Sequence, residues 1–194
     1  MEKVQKAIEL AVKYHAGQYR KEHVNIGSKV PFIVHPMQVM KLVYDWGAGT
    51  ADNLAAAVCH DLLEDTKVSP EDLMSAVETK AFNLVSLLTN PEKPELSKVE
   101  KAKRKAEYLA GFAKLPVDAL IIKLADRYCN VYDFIHCGDH HYASKYSGKA
   151  SSLYDAFDVR IDEIAQTYGQ GTVAKIHECV EDLRQIAANF RQGV

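Results

Sequence analysis

Cys59-His60-Asp61-Leu62-Leu63-Glu64-Asp65 is the stretch from which the rest of the chain can be read. It follows the apolar run Leu54-Ala55-Ala56-Ala57-Val58, and no Lys or Arg occurs between Asp52 and Asp65. The spacing predicts one helix over 51–65 that lacks an ordinary solvated face. At about 100° per residue, His60, Asp61, Glu64 and Asp65 share an arc of about 140°. Four ionisable groups on a buried helix need a partner, because an unpaired buried charge is costly. A divalent metal is the simplest such partner.

Working outward, the apolar positions keep a helical period almost everywhere. Val4, Ala7, Ile8, Ala11, Val12 and His15 predict a helix over 2–17, closed by Gly17. A polar stretch from Gln18 to Pro31 follows, readable as a flap over a site or as a plain solvated connection. Pro36 suits the first turn of a helix running to about Trp46, which puts His35 at a helix start. Ser69-Pro70-Glu71-Asp72 reads as a helix N-terminus with a Ser cap and Pro at the first position. Further helices are expected over 70–79, 81–89, 97–114, 116–136, 143–167 and 171–191, with a loop at Asn90-Pro91-Glu92-Lys93-Pro94. Period-2 alternation is almost absent. The expected fold is all-α, a compact bundle of about eight or nine helices. One domain over 1–194 is expected, with its core at about 3–135 and the helices of 143–191 packed on it.

The composition narrows the function classes. The chain has 194 residues, 47% hydrophobic and 26% charged, which is enough for one well-buried core. A net charge of -2 and a pI near 6.4 do not suggest nucleic-acid binding. No apolar run reaches membrane-spanning length, and the N-terminus runs straight into an amphipathic helix, so a cytoplasmic protein without a membrane partner is expected. Cys59, Cys129, Cys137 and Cys179 show no CxxC spacing and read as reduced thiols. His136-Cys137-Gly138-Asp139-His140-His141 reads as a loop rather than a zinc site. The basic run Lys98, Lys101, Lys103, Arg104 and Lys105 reads as a solvated face or as an anion-facing edge. Tyr142, Tyr146 and Tyr154 read as packing or surface aromatics, any one of which could stack on a base.

The 116–136 helix carries a second polar stripe. Asp126, Asn130 and Asp133 stand at i, i+4 and i+7, with Lys123 at i−3. Asp126 could simply pair with Lys123 or Arg127. Taken together, His35, His60, Asp61 and Asp126 form a mixed nitrogen and oxygen donor set suited to Mn, Fe or Zn. A metal there would acidify a bound water, with Glu64 and Asp65 one turn away. A basic rim beside it would fit hydrolysis of a phosphate or diphosphate ester.

The order His…His-Asp…Asp resembles the HD superfamily of metal-dependent phosphohydrolases. Arg20-Lys21, Pro31-Phe32-Ile33-Val34-His35-Pro36, His60-Asp61-Leu62-Leu63-Glu64-Asp65-Thr66 and Lys123-Leu124-Ala125-Asp126-Arg127-Tyr128-Cys129-Asn130 are similar to the hydrolase domain of RelA/SpoT-type proteins and the stand-alone small alarmone hydrolases. The resemblance covers residues 3–135. It implies one Mn²⁺ on His35, His60, Asp61 and Asp126, and removal of the 3′-diphosphate of (p)ppGpp as pyrophosphate. It also implies that Glu64 and Asp65 position or activate the water, and that Arg20, Lys21 and Asn130 meet the nucleotide, with Arg104 and Lys105 reaching its phosphates. A different nucleotide or phosphoester is the alternative substrate, and a homo-oligomer is left open. Two places depart from the family: Glu22 to Val30 is longer and different, and Tyr132 stands where an arginine is expected. Both departures are expected to touch the substrate pocket and not the metal.

Overall fold

The computed structural model describes residues 2–21, 23, 26–90 and 95–191, the side chains of Lys105, Phe190 and Arg191 excepted. In chain order the helices are α1 (Glu2–Tyr14), α2 (Val34–Asp45), α3 (Ala51–Cys59), α4 (Leu62–Asp65), α5 (Pro70–Leu88), α6 (Lys98–Gly111), a 3₁₀ turn (Phe112–Lys114), α7 (Val117–His136), α8 (His140–Gly148), α9 (Ser151–Asp158), α10 (Ile161–Tyr168) and α11 (Gln170–Arg191). No β-strand occurs among the described residues; a single antiparallel bridge joins Tyr19 to Pro31. The fold is all-α, as the helical periodicity predicts.

Helix α3 lies at the centre. Ala55, Ala56, Ala57, Val58 and Cys59 are all fully buried, which accounts for the missing basic residues. Their small side chains allow α1, α2, α5 and α7 to pack around the helix. Thr50 caps it by accepting a hydrogen bond from the Asn53 N–H, and Ser69 caps α5 from Asp72 in the same way, at 3.0 Å. The buried apolar side chains form one cluster reaching from Ala7 of α1 to Leu183 of α11. Leu120 of α7 is wholly inside it. Leu120→Ala should lower the unfolding free energy by about 2–5 kcal/mol, read from urea titration.

Two elements differ from the expected pattern. The 51–65 helix is broken at His60-Asp61, where Asp61 adopts φ −96°, ψ −3°. Its carbonyl accepts from the N–H of Glu64 and Asp65, at 3.2 and 2.8 Å, and starts the single turn α4. The segment read as 143–167 is three short helices, α8, α9 and α10, interrupted at Lys149-Ala150 and Val159-Arg160. Within 70–88 the backbone leaves the helical region at Glu78, with φ 63° and ψ 170°, so the segment is two helical halves, as the two expected helices over 70–79 and 81–89 require. The bundle therefore has more helices than the eight or nine expected. The proposed loop at Asn90–Pro94 falls mostly on residues 91–94, outside the described residues.

Candidate metal centre and nucleotide cavity

Three buried side chains from three helices converge. His35 comes from the first turn of α2, His60 from the break after α3, and Asp126 from the middle of α7. Their exposures are 1%, 3% and 6%, and one donor atom from each lies within 4.8 Å of the other two. Asp126 Oδ1 stands 3.3 Å from His35 Nε2 and 3.6 Å from His60 Nε2. Asp61 adds a second carboxylate, 3.1 Å from His60 Nε2 and 3.8 Å from His35 Nε2. The helix break is what places His60 and its neighbour Asp61 against the same point.

The polar atoms around this centre are held in fixed roles. His60 Nδ1 lies 2.8 Å from the Ala57 carbonyl, which can only accept, so Nδ1 carries the hydrogen. His60 Nε2 is then the nitrogen that faces the carboxylates. Among the described residues, neither His35 Nε2 nor His60 Nε2 has a hydrogen-bond partner, although both are buried. Asp126 divides its two oxygens: Oδ2 accepts from Lys123 Nζ at 2.9 Å, and Oδ1 accepts from the Asn130 amide at 2.5 Å. The pairing of Asp126 with Lys123 therefore coexists with an approach to the histidines. Two orphaned imidazole nitrogens facing two carboxylates are a donor set that fits a divalent cation.

Electrostatics point the same way. Burial alone would lower the His60 pKa, but the Asp61 and Asp126 carboxylates overcome it and push it up to about 10. Burial raises the Asp126 carboxyl, and the Lys123 charge with the two histidines outweighs it, holding the group well below the usual range. The surplus of negative charge is thus met by a proton on His60 unless another cation takes its place. At neutral pH a metal must displace that proton. Apparent metal affinity should therefore rise with pH up to about 10, with a proton released on binding, measurable by calorimetry in buffers of different ionisation enthalpy.

The centre opens into a cavity of about 530 Å³. Asp61 and Asp126 lie at its floor; Glu64, Asp65, Arg20, Lys21, Lys123 and Asn130 line it. Burial raises the pKa of the Glu64 and Asp65 carboxyls. One Glu64 oxygen accepts from the Asn90 N–H at 3.0 Å. The Asp65 carbonyl accepts from Gln18 Nε2 at 2.9 Å, while Gln18 Oε1 takes the Nδ1 hydrogen of buried His15 at 2.6 Å. The end of α1 thereby fastens α4. Arg20 is nearly buried and donates to Asn130 Oδ1 at 2.8 Å. Asn130 is therefore committed on both amide atoms, to Arg20 and to Asp126.

Most of the residues singled out from sequence come together here. Arg104 does not line this cavity, and the side chain of Lys105 lies outside the described residues. Lys98, Lys101 and Lys103 are exposed on α6, which is the solvated face expected of a basic run. The departure at Tyr132 also faces elsewhere. Its hydroxyl bonds Asp182 of α11, and its ring lies 4.5 Å from that of Tyr128. On α7 it sits off the Asp126–Asn130–Asp133 stripe, so the change fastens the C-terminal helix and leaves the cavity alone. Of His136–His141, only residues 137–139 form a turn, between the end of α7 and the start of α8, and Asp139 caps α8 by accepting from the Tyr142 N–H. Sequence reasoning passed over Gln18, Tyr19 and Phe32 as lining residues, and left Tyr146 undecided among three tyrosines. Tyr146 is distinguished by its position over Arg127, 3.9 Å from ring centre to guanidinium, a pairing invisible before the helices are packed.

Comparison with known proteins gives the family and the fold. Residues 7–162 match the family described as HD domain. A GTP pyrophosphokinase of Streptomyces coelicolor is 31% identical over 131 residues, covering 68% of this chain and 14% of its own. A guanosine-3′,5′-bis(diphosphate) 3′-pyrophosphohydrolase of Spiroplasma citri is 33% identical over 135 residues, covering 68% of this chain and 17% of its own. The chain thus spans less than a fifth of the length of these curated relatives. A solved structure, described as a metazoan ortholog of SpoT that hydrolyzes ppGpp, superposes with a TM-score of 0.68 at 23% identity. It covers 94% of this chain and 96% of its own, which places the two in one fold.

Proposed function

The chain belongs to the HD domain family, and on that premise we propose that it is a metal-dependent pyrophosphohydrolase of guanosine 3′,5′-bis(diphosphate)-type nucleotides. The observation that carries this is the convergence of His35, His60 and Asp126 within 4.8 Å, at the base of a cavity lined by carboxylates and cations. The names of the relatives support the substrate class. In this proposal His35, His60, Asp61 and Asp126 hold one divalent ion, taken to be Mn²⁺. When bound, that ion acidifies a water and draws charge from a phosphoryl oxygen. Glu64 accepts the proton of the attacking water, and Asp65 orients it; the raised pKa that burial gives both carboxyls suits proton transfer. Water attacks the phosphorus next to the ribose 3′-oxygen, the P–O3′ bond breaks, the proton taken up by Glu64 is returned to O3′, and the products are the 3′-hydroxyl and pyrophosphate. Lys21 and Lys123 offset charge on the diphosphate. Arg20, Asn130 and Tyr146 form the nucleotide wall. Arg104 and Lys105, on α6, are proposed as more distant contacts to the phosphates.

We further propose that the chain works as one unit in the cytoplasm on this small molecule, without nucleic acid. Among the described residues no helix is long and apolar enough to cross a membrane. Chelation followed by re-addition of single metals tests the proposal. Turnover should vanish with chelator and return with Mn²⁺. Hydrolysis of other nucleotides in a panel, with none of guanosine 3′,5′-bis(diphosphate), would retain the chemistry and overturn the substrate.

A further inference from the structure

Asp133 is a buried carboxylate for which the proposed chemistry has no use. It is 6% exposed and lies three residues beyond Asn130 on α7. Its Oδ2 meets a terminal guanidinium nitrogen of Arg20 at 2.7 Å, with the two side chains only 8% and 6% exposed. Its Oδ1 stands 3.9 Å from His23 Nε2. The two oxygens thus face Arg20 and His23, and Arg20 belongs to the stretch Gln18–Lys21 that with Phe32 forms one wall of the cavity.

Gln18–Arg20 and Val30–Phe32 are tied to each other. The Arg20 N–H bonds the Val30 carbonyl, and the Phe32 N–H bonds the Gln18 carbonyl, each at 2.9 Å. The Arg20 guanidinium lies 5.5 Å from the centre of the Phe32 ring. It also donates to Asn130, whose amide donates to Asp126. Arg20 is therefore the point where this wall meets the helix that carries a proposed metal ligand. A planar guanidinium keeps one orientation only where acceptors fix its fork, and a buried carboxylate is the strongest such acceptor.

We propose that Asp133 is a positioning residue: its carboxylate fixes Arg20, and with it Gln18–Lys21 and Phe32, so that the nucleotide meets a preformed wall. This rests on the pyrophosphohydrolase reading for its substrate and on the geometry alone for its structural half. Asp133 touches no substrate. It lowers the ordering that binding would otherwise require.

The test uses the full chain with Asp133→Ala, Arg20→Met, the double variant, and Asp133→Asn. With guanosine 3′,5′-bis(diphosphate), Asp133→Ala should raise KM by about tenfold or more and leave kcat within about twofold. The double variant should match Arg20→Met alone, because the carboxylate acts through the guanidinium. Asp133→Asn, which keeps an acceptor oxygen, should recover most of the loss. The second readout is amide hydrogen exchange of Arg20 and Phe32, taken without metal or nucleotide. Exchange should quicken at both in Asp133→Ala and be unchanged in α11. If the stranded guanidinium prevents Asp133→Ala from folding, the same exchange is read in Asp133→Asn, where a few-fold increase is expected because a neutral acceptor holds the fork less tightly. Unchanged exchange at Arg20 and Phe32 in the folded variant, or additive KM effects in the double variant, overturns the proposal. A wild-type protein that does not turn over this nucleotide would defeat the substrate reading, and the exchange result would still decide the role of Asp133.

Discussion

Asp126→Ala is expected to bind no stoichiometric metal and to lose hydrolysis completely. Both oxygens of Asp126 are used. Oδ1 faces the imidazoles at 3.3 and 3.6 Å, and Oδ2 receives Lys123 at 2.9 Å. Removing the side chain takes away a ligand and strands a nearly buried ammonium beside the two histidines. Changes to groups that merely orient a ligand weaken metal binding by about 10–100-fold, so loss of the ligand itself should exceed that. The stranded Lys123 should also lower stability by about 3–5 kcal/mol, as when one partner of a buried ion pair is removed. Metal content by mass spectrometry and unfolding by denaturant separate the two effects. Asp126→Asn should recover part of the stability, since its amide oxygen can still accept from Lys123, but should not recover the metal. Near-stoichiometric metal in either variant would remove Asp126 from the centre.

Glu64→Ala should do the reverse, keeping the metal and losing the reaction. Glu64 lines the cavity and is not among the three side chains that converge within 4.8 Å. Its only described backbone tie is the Asn90 N–H at 3.0 Å, on the cavity rim. Loss of a general base typically lowers the rate by about 10²–10⁴-fold. The expected result is therefore a kcat reduced within that range with unchanged metal content and an unchanged unfolding midpoint. A rate within about threefold of wild type would assign proton transfer to another group, with Asp65 the first candidate by position.

The helices and most of the centre could be read from residue order, and the reasons are local. Absence of basic residues from Asp52 to Asp65 reports burial directly, and α3 is buried throughout the run Ala55–Cys59. Caps at Ser69 and Thr50 are single-residue signals, although only the first stands out beside its proline. The break at His60-Asp61 was not legible, because an aspartate that ends one helix and starts another carries no glycine or proline to mark it. Such a break depends on tertiary contacts. The same holds for Tyr132, where an expected arginine is replaced and the substitution suggests a change in the pocket. Only the packing of α7 on α11 shows that its hydroxyl serves Asp182. The Asp126–Asn130–Asp133 stripe was visible as a pattern, yet which member faces the histidines and which faces Arg20 is settled by His60, His35 and Arg20, all distant in the chain.

The most direct test of the central claim is product analysis. Protein freed of metal, reloaded with Mn²⁺ and supplied with guanosine 3′,5′-bis(diphosphate) should yield GDP and pyrophosphate in equal amounts. His60→Ala, lacking one of the two orphaned imidazole nitrogens, should yield neither. Release of inorganic phosphate alone, no reaction in the loaded wild type, or undiminished pyrophosphate from His60→Ala would each contradict it.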